Sequence, residues 1–165
     1  MAVIDEKGYV HAVFTGYEVL KFVHVLTAIL AVGFNASYAI WLRGAAKAPE
    51  HEAFALRGIK LLDERFANPA YGVLLLTGLT MVFTTPALHL TTFWILLALI
   101  LFAVIVVLGA AIYTPTLRKQ SAELEAEGAR TPRYQALARR STVTGIVIGV
   151  IVVGIVFLMV TKPTL

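Results

Sequence analysis

FANPAYGVLLLTGLTMVFTTPALHLTTFWILLALILFAVIVVLGAAIYTPTL, residues 66–117, contains no Asp, Glu, Lys or Arg. A helix needs about 20 predominantly apolar residues to cross the hydrocarbon core of a bilayer. This stretch holds two crossings, folded back on each other at residues 85–92. Working outward, 22–42 and 141–161 are free of the same four residue types. A β-barrel would need short segments alternating at period two, and the chain has none. The sequence therefore predicts an all-α polytopic membrane protein of one domain, an up-down bundle of four transmembrane helices. The spans fall at about 17–42, 69–85, 91–114 and 141–161, separated by long loops at 43–68 and 115–140.

Composition agrees. Charged residues make up 15% of the 165-residue chain and hydrophobic ones 59%, against about 25% charged in soluble domains. All but three of the 14 Lys and Arg residues lie in the two long loops. The positive-inside rule places both loops in the cytoplasm and both termini outside, in a bacterial cytoplasmic membrane. The surplus of positive charge is thus topological and points to no nucleic acid. With no cysteine, disulfides, thiolate metal sites and covalent haem attachment are excluded. The acidic start Asp5-Glu6 and the length of the first apolar run predict a retained span and no cleaved leader.

Local signals set further expectations. Residues 9–17 predict an interfacial helical turn or an early start to helix one, with Glu18 pairing Lys21 at its entrance. Residues 48–66 read as an amphipathic helix on the inner surface. Asn68-Pro69 reads as the capped start of the second span, and Ser141 as the cap of the fourth. The short 85–92 turn makes helices two and three antiparallel neighbours. Gly128 and Thr131-Pro132 break the last loop into two short helices. Trp41, Trp94 and Tyr113 suit interfacial belts. Gly145 and Gly149 let helix four pack closely within the bundle. No carboxylate lies at membrane depth in a predicted span, since Glu18 is only at the outer edge of the first, which argues against a transporter with an acidic relay.

The first span carries the chemistry. His24, Thr27, Ala28, Ala31, Asn35 and Tyr38 follow the spacing i, i+3, i+4, i+7, i+11, i+14 and share one helix face. An ionisable side chain at membrane depth calls for a partner or a task. A neutral imidazole can ligate haem iron, provided its other ring nitrogen finds an acceptor. His51 reads as a solvated loop residue. His11 and His89 lie on the outer side with His24, so His89 is a candidate second axial ligand. Asn35 lies about 16 Å further along the helix and contacts a porphyrin edge or a neighbouring helix. No nucleophile motif, phosphate loop or zinc-protease signature is present.

Leu20-Lys21-Phe22-Val23-His24-Val25-Leu26, closing with Ala31-Val32-Gly33, resembles the LKFxHVLxAxxxxG opening of a family of predicted bacterial integral membrane proteins of unknown function. Asp63-Glu64-Arg65-Phe66-Ala67-Asn68-Pro69, leading to Leu76-Thr77-Gly78-Leu79, resembles its second span. Leu158-Met159-Val160-Thr161-Lys162-Pro163 resembles its ending. That group is similar in pattern to copper-resistance D proteins and to the small bacterial membrane protoporphyrinogen oxidase that binds haem b. The resemblance implies a first-span haem histidine, matched by His24. The oxidase's essential third-span lysine has no counterpart here, so what is implied is a fold and a haem site and no particular reaction. The leading expectation is a b-type haem or porphyrin-binding protein with His24 as axial ligand to the iron. Thr27, Ala28, Ala31 and Asn35 line its pocket, and His89, a second copy or no residue fills the other axial position. The alternative is a non-catalytic scaffold or accessory subunit, without cofactor, bound to a membrane partner. A third reading, a small-solute or metal permease, needs a polar cavity reaching both faces.

Overall fold

The computed structural model describes residues 2–4, 10–12, 15–47 and 49–163. Two three-residue strands, β1 (Ala2–Ile4) and β2 (Val10–Ala12), pair antiparallel with Val3 opposite His11. They replace the interfacial helical turn expected there; Tyr9, Val13 and Phe14 of that expectation lie outside the described residues. The rest is helical. Four helices, of 30, 33, 35 and 30 residues, are long and apolar enough to cross a membrane, and they form the expected bundle.

Helix α1 (Gly16–Lys47) opens with a reciprocal cap. The Glu18 backbone N–H donates to Thr15 Oγ1 (3.3 Å), and the Thr15 N–H donates to Glu18 Oε2 (2.8 Å). This T-x-x-E capping box satisfies two orphan donors of the first turn. Glu18 therefore serves the helix end, and the ion pair expected with Lys21 is not what engages it.

The second and third long helices run through their prolines. Helix α2 (Glu52–Leu62) continues through a π turn (Asp63–Ala67) into α3 (Asn68–Thr84). Helix α4 (Phe93–Leu108) continues through a second π turn (Gly109–Tyr113) into α5 (Thr114–Glu127). Each π turn ends one residue before an X-Pro pair, Asn68-Pro69 or Thr114-Pro115. Proline lacks an N–H and its ring presses on the carbonyl four residues back. The wider turn relieves that crowding: Asn68 N–H reaches Asp63 O and Thr114 N–H reaches Gly109 O. Asn68 is thus inside a continuous helix and caps nothing, and α2 extends α3 collinearly where a separate surface helix was expected. At 1.5 Å per residue these helices measure about 50 Å, roughly 20 Å more than a hydrocarbon core.

The surplus length projects from the basic end and packs. Helix α6 (Pro132–Thr161) starts at Thr131, whose Oγ1 accepts from Tyr134 N–H (3.0 Å). Gly128, at φ 84, breaks the chain before it. The break falls where expected, but the flanking helices are extensions of spans three and four. Ser141 sits inside α6 and donates to Gln120 Oε1 (2.8 Å) and Ala138 O (3.0 Å), so it does not cap a helix. Gln120 Nε2 in turn donates to Tyr134 Oη (3.3 Å), and Tyr134 donates to Glu52. This chain of bonds ties α2, α5 and α6 around Leu56, Ile59 and Leu117, which are fully buried. Tyr113 belongs to the same core, against Gly145 of α6, and so is not a belt residue.

Away from that core the helices present apolar surface. Phe83 is 71% exposed and Val160 76%. Each such side chain gains about 1.5–3 kcal/mol when removed from water, which lipid supplies. Helix α1 lies along α3, α4 along α6, and α1 meets α6. At the far end Lys162 lies over the Trp94 ring (5.6 Å), closing α6 onto α4. The backbones of α3 and α4 stand apart although one short turn joins them. Tyr71 and Phe102 bridge them edge-on, ring centres 6.1 Å apart. The expected close neighbours therefore flank a cleft.

Candidate functional site

The polar stripe of α1 faces α3. His24 sits in the third turn of α1, half-buried, with Nδ1 2.8 Å from Thr77 Oγ1. Thr77 has one hydroxyl proton, and its Oγ1 lies 2.7 Å from Val73 O and 3.2 Å from Leu74 O. Two oxygens at 2.7 Å without a proton between them repel, so the proton belongs on that carbonyl contact. The imidazole must then donate, which makes it the Nδ1–H tautomer. Its Nε2 keeps a lone pair, with no hydrogen bond among the described residues. Gly78, the next residue on α3, explains how the ring fits. A Cβ there would lie 3.2 Å from His24 Cε1, so any side chain would crowd it.

The remaining predicted residues divide. Ala31 is buried in the α1–α3 seam. Asn35 Nδ2 donates to Ala31 O (2.8 Å) and Tyr71 Oη (2.9 Å), so it bonds a neighbouring helix. Thr27 donates to Val23 O (2.7 Å) in its own helix and is no acceptor for the imidazole. Ala28 is half-buried on the same face. His89 is exposed in the turn, where its carbonyl accepts from Thr92 N–H (3.0 Å). No hydrogen bond among the described residues joins His89 to His24. His51 is exposed near Glu50. The residue that sequence reading missed was Thr77. The signal was present as the Thr77-Gly78 pair in a span rich in small residues, but only the pairing of α1 with α3 gives it a role.

Chemically, the seam offers one neutral nitrogen donor held in a fixed orientation. A ligating histidine ordinarily gives its second N–H to an oxygen acceptor, which sets the tautomer and steadies the ring. His24 meets that condition. The envelope is a different matter. Cavities of about 270 Å³ and 390 Å³ lie toward the basic end, and His24 lines neither. Among the described residues no group of three His, Cys, Asp or Glu side chains converges as a metal site. The donor suits an iron, whereas neither of these two cavities puts walls for a macrocycle around His24.

One expectation about charge is corrected. Asp63 is 5% exposed on the continuous α2–α3 helix. Its Oδ2 accepts from Asn68 Nδ2 (3.3 Å) and Thr114 Oγ1 (3.2 Å), the two residues that precede the prolines. A carboxylate is therefore enclosed by the bundle, where the sequence had placed Asp63 in a surface loop. Glu64 next to it turns outward to Arg118, 3.0 Å away.

Residues 18–163 match the model of a family described as predicted integral membrane protein (DUF2269). No curated protein and no solved structure matches the chain.

Proposed function

The chain belongs to that family of predicted integral membrane proteins, and on this premise we propose a b-type haem or porphyrin-binding role, with His24 as the axial ligand. The observation that carries the reading is the His24–Thr77 bond, which leaves Nε2 as a free donor at membrane depth. Neither cavity near the basic end includes His24, so a haem held by His24 would need further cover, which a second copy of the chain could supply. The membrane is the bacterial cytoplasmic one, by the charge bias of the loops. When bound, the haem supplies one-electron chemistry. The residues of this chain hold the iron, fix the imidazole tautomer and exclude water.

The test is a visible spectrum of detergent-purified protein, supplemented with haem and reduced with dithionite. A sharp Soret and α-band lost in His24→Ala is expected. Thr77→Val, which removes the acceptor, should weaken haem retention about 10- to 100-fold. A featureless spectrum, or bands indifferent to His24→Ala, rejects the role and leaves the cofactor-free scaffold.

A further inference from the structure

The cleft between α3 and α4 holds a carboxylate that the fold does not neutralise. Asp63 lines a cavity of about 270 Å³ with Asn35, Tyr71, Leu75, Phe102 and Ile105. Both side-chain donors it receives are neutral, and both go to Oδ2. Among the described residues Oδ1 accepts no side-chain hydrogen bond. Nor is Oδ1 sealed off: among the described residues the one fully enclosed side-chain polar atom without a partner is Tyr38 Oη. Asp63 is 5% exposed and lines this cavity. No Lys, Arg or His among the described residues lies within ion-pair distance of Asp63, and Arg118, one turn beyond Thr114, is taken by Glu64.

A carboxylate withdrawn from water needs a cation or a proton. Convergent ligands for a divalent metal are missing among the described residues. The walls contributed by Leu75, Phe102 and Ile105 suit a hydrocarbon body. Asn35 adds a second acceptor: its amide nitrogen is spent on Ala31 O and Tyr71 Oη, which leaves its carbonyl oxygen for a donor. We propose that this cavity binds a small amphiphilic monocation of the primary-ammonium class. The ammonium sits on Asp63 Oδ1 and the apolar body lies between α3 and α4. The proposal does not depend on His24, and the two sites fail separately.

Isothermal titration of the detergent-purified full chain with 2-phenylethylammonium, against the uncharged 2-phenylethanol, tests it. Two variants divide the causes. Asp63→Asn keeps the side-chain shape and an acceptor for Asn68 and Thr114 but removes the charge. Gly72→Leu fills the cavity and leaves Asp63 in place. Gly72 lines the cavity, and a Cβ there meets no atom within 4 Å, so the backbone need not move. Saturable binding of the amine is expected, weakened at least about tenfold by either variant, with the alcohol weaker than the amine by a similar factor. Melting transitions in the same detergent show that both variants fold. Equal affinity in Asp63→Asn, equal affinity for the alcohol, or no saturable binding at millimolar amine overturns the proposal; in that case a proton on Asp63 balances its charge.

Discussion

At the basic end α2, α5 and α6 enclose Leu56, Ile59 and Leu117, and Glu52, Tyr134, Gln120 and Ser141 are joined by hydrogen bonds. Away from it α1 and α3 are linked by side-chain bonds from His24 to Thr77 and from Asn35 to Tyr71, while apolar side chains face outward. The first region is organised like a soluble helical core and draws its order from water exclusion. The second stands in hydrocarbon, where burying a leucine gains nothing over lipid and packing plus a few polar bonds hold helices together. Groups free for chemistry follow that division. The bonded network of Glu52, Tyr134, Gln120 and Ser141 spends its polar atoms within the core, whereas the seam leaves an imidazole nitrogen unspent.

Four substitutions sharpen the contrast. Ile59→Ala, at a position with 0% exposure, should lower stability by about 2–5 kcal/mol through lost contacts and a cavity. Val160→Ala at the far end should stay within about 0.5 kcal/mol. Unfolding followed by circular dichroism in detergent measures both, and equal losses would erase the distinction between the two ends. Gln120→Leu comes next. It removes one of the two side-chain partners of Tyr134 and the side-chain partner of Ser141, and should cost about 1–3 kcal/mol by the same assay. A small effect on stability is expected from Thr77→Val, about 0.6 kcal/mol, in the usual range for a hydrogen bond between membrane helices. If Thr77→Val proved as damaging as Ile59→Ala, the seam would be a structural keystone and its free nitrogen incidental.

The four crossings were legible because uncharged runs report directly on a solvent without water. The inward stripe of α1 was legible too, since helical spacing fixes which residues share a face. The prolines misled for a physical reason. Asn68-Pro69 has the chemistry of a helix start, yet a π turn before it lets the helix continue, and no local signal announces such a turn. That continuity moves Asp63 from a surface loop to an enclosed position beside Thr114, a neighbour far away in sequence. The cleft was illegible because it depends on how far α3 and α4 splay, a matter of packing with α1 and α6. The strands Ala2–Ile4 and Val10–Ala12 are too short to show a period. Thr77 looked like one more small residue until its helix partner was known.

The most direct test is the protonation pattern of the His24 ring, read by 15N NMR of histidine-labelled protein in detergent, with the signal assigned by its loss in His24→Ala. A proton on Nδ1 and a bare Nε2 are expected, with the preference relaxed in Thr77→Val. A proton on Nε2 in the unsubstituted protein would mean that Thr77 donates to the ring. The nitrogen offered to a ligand would then be occupied, and the account of this seam as a coordination site would be wrong.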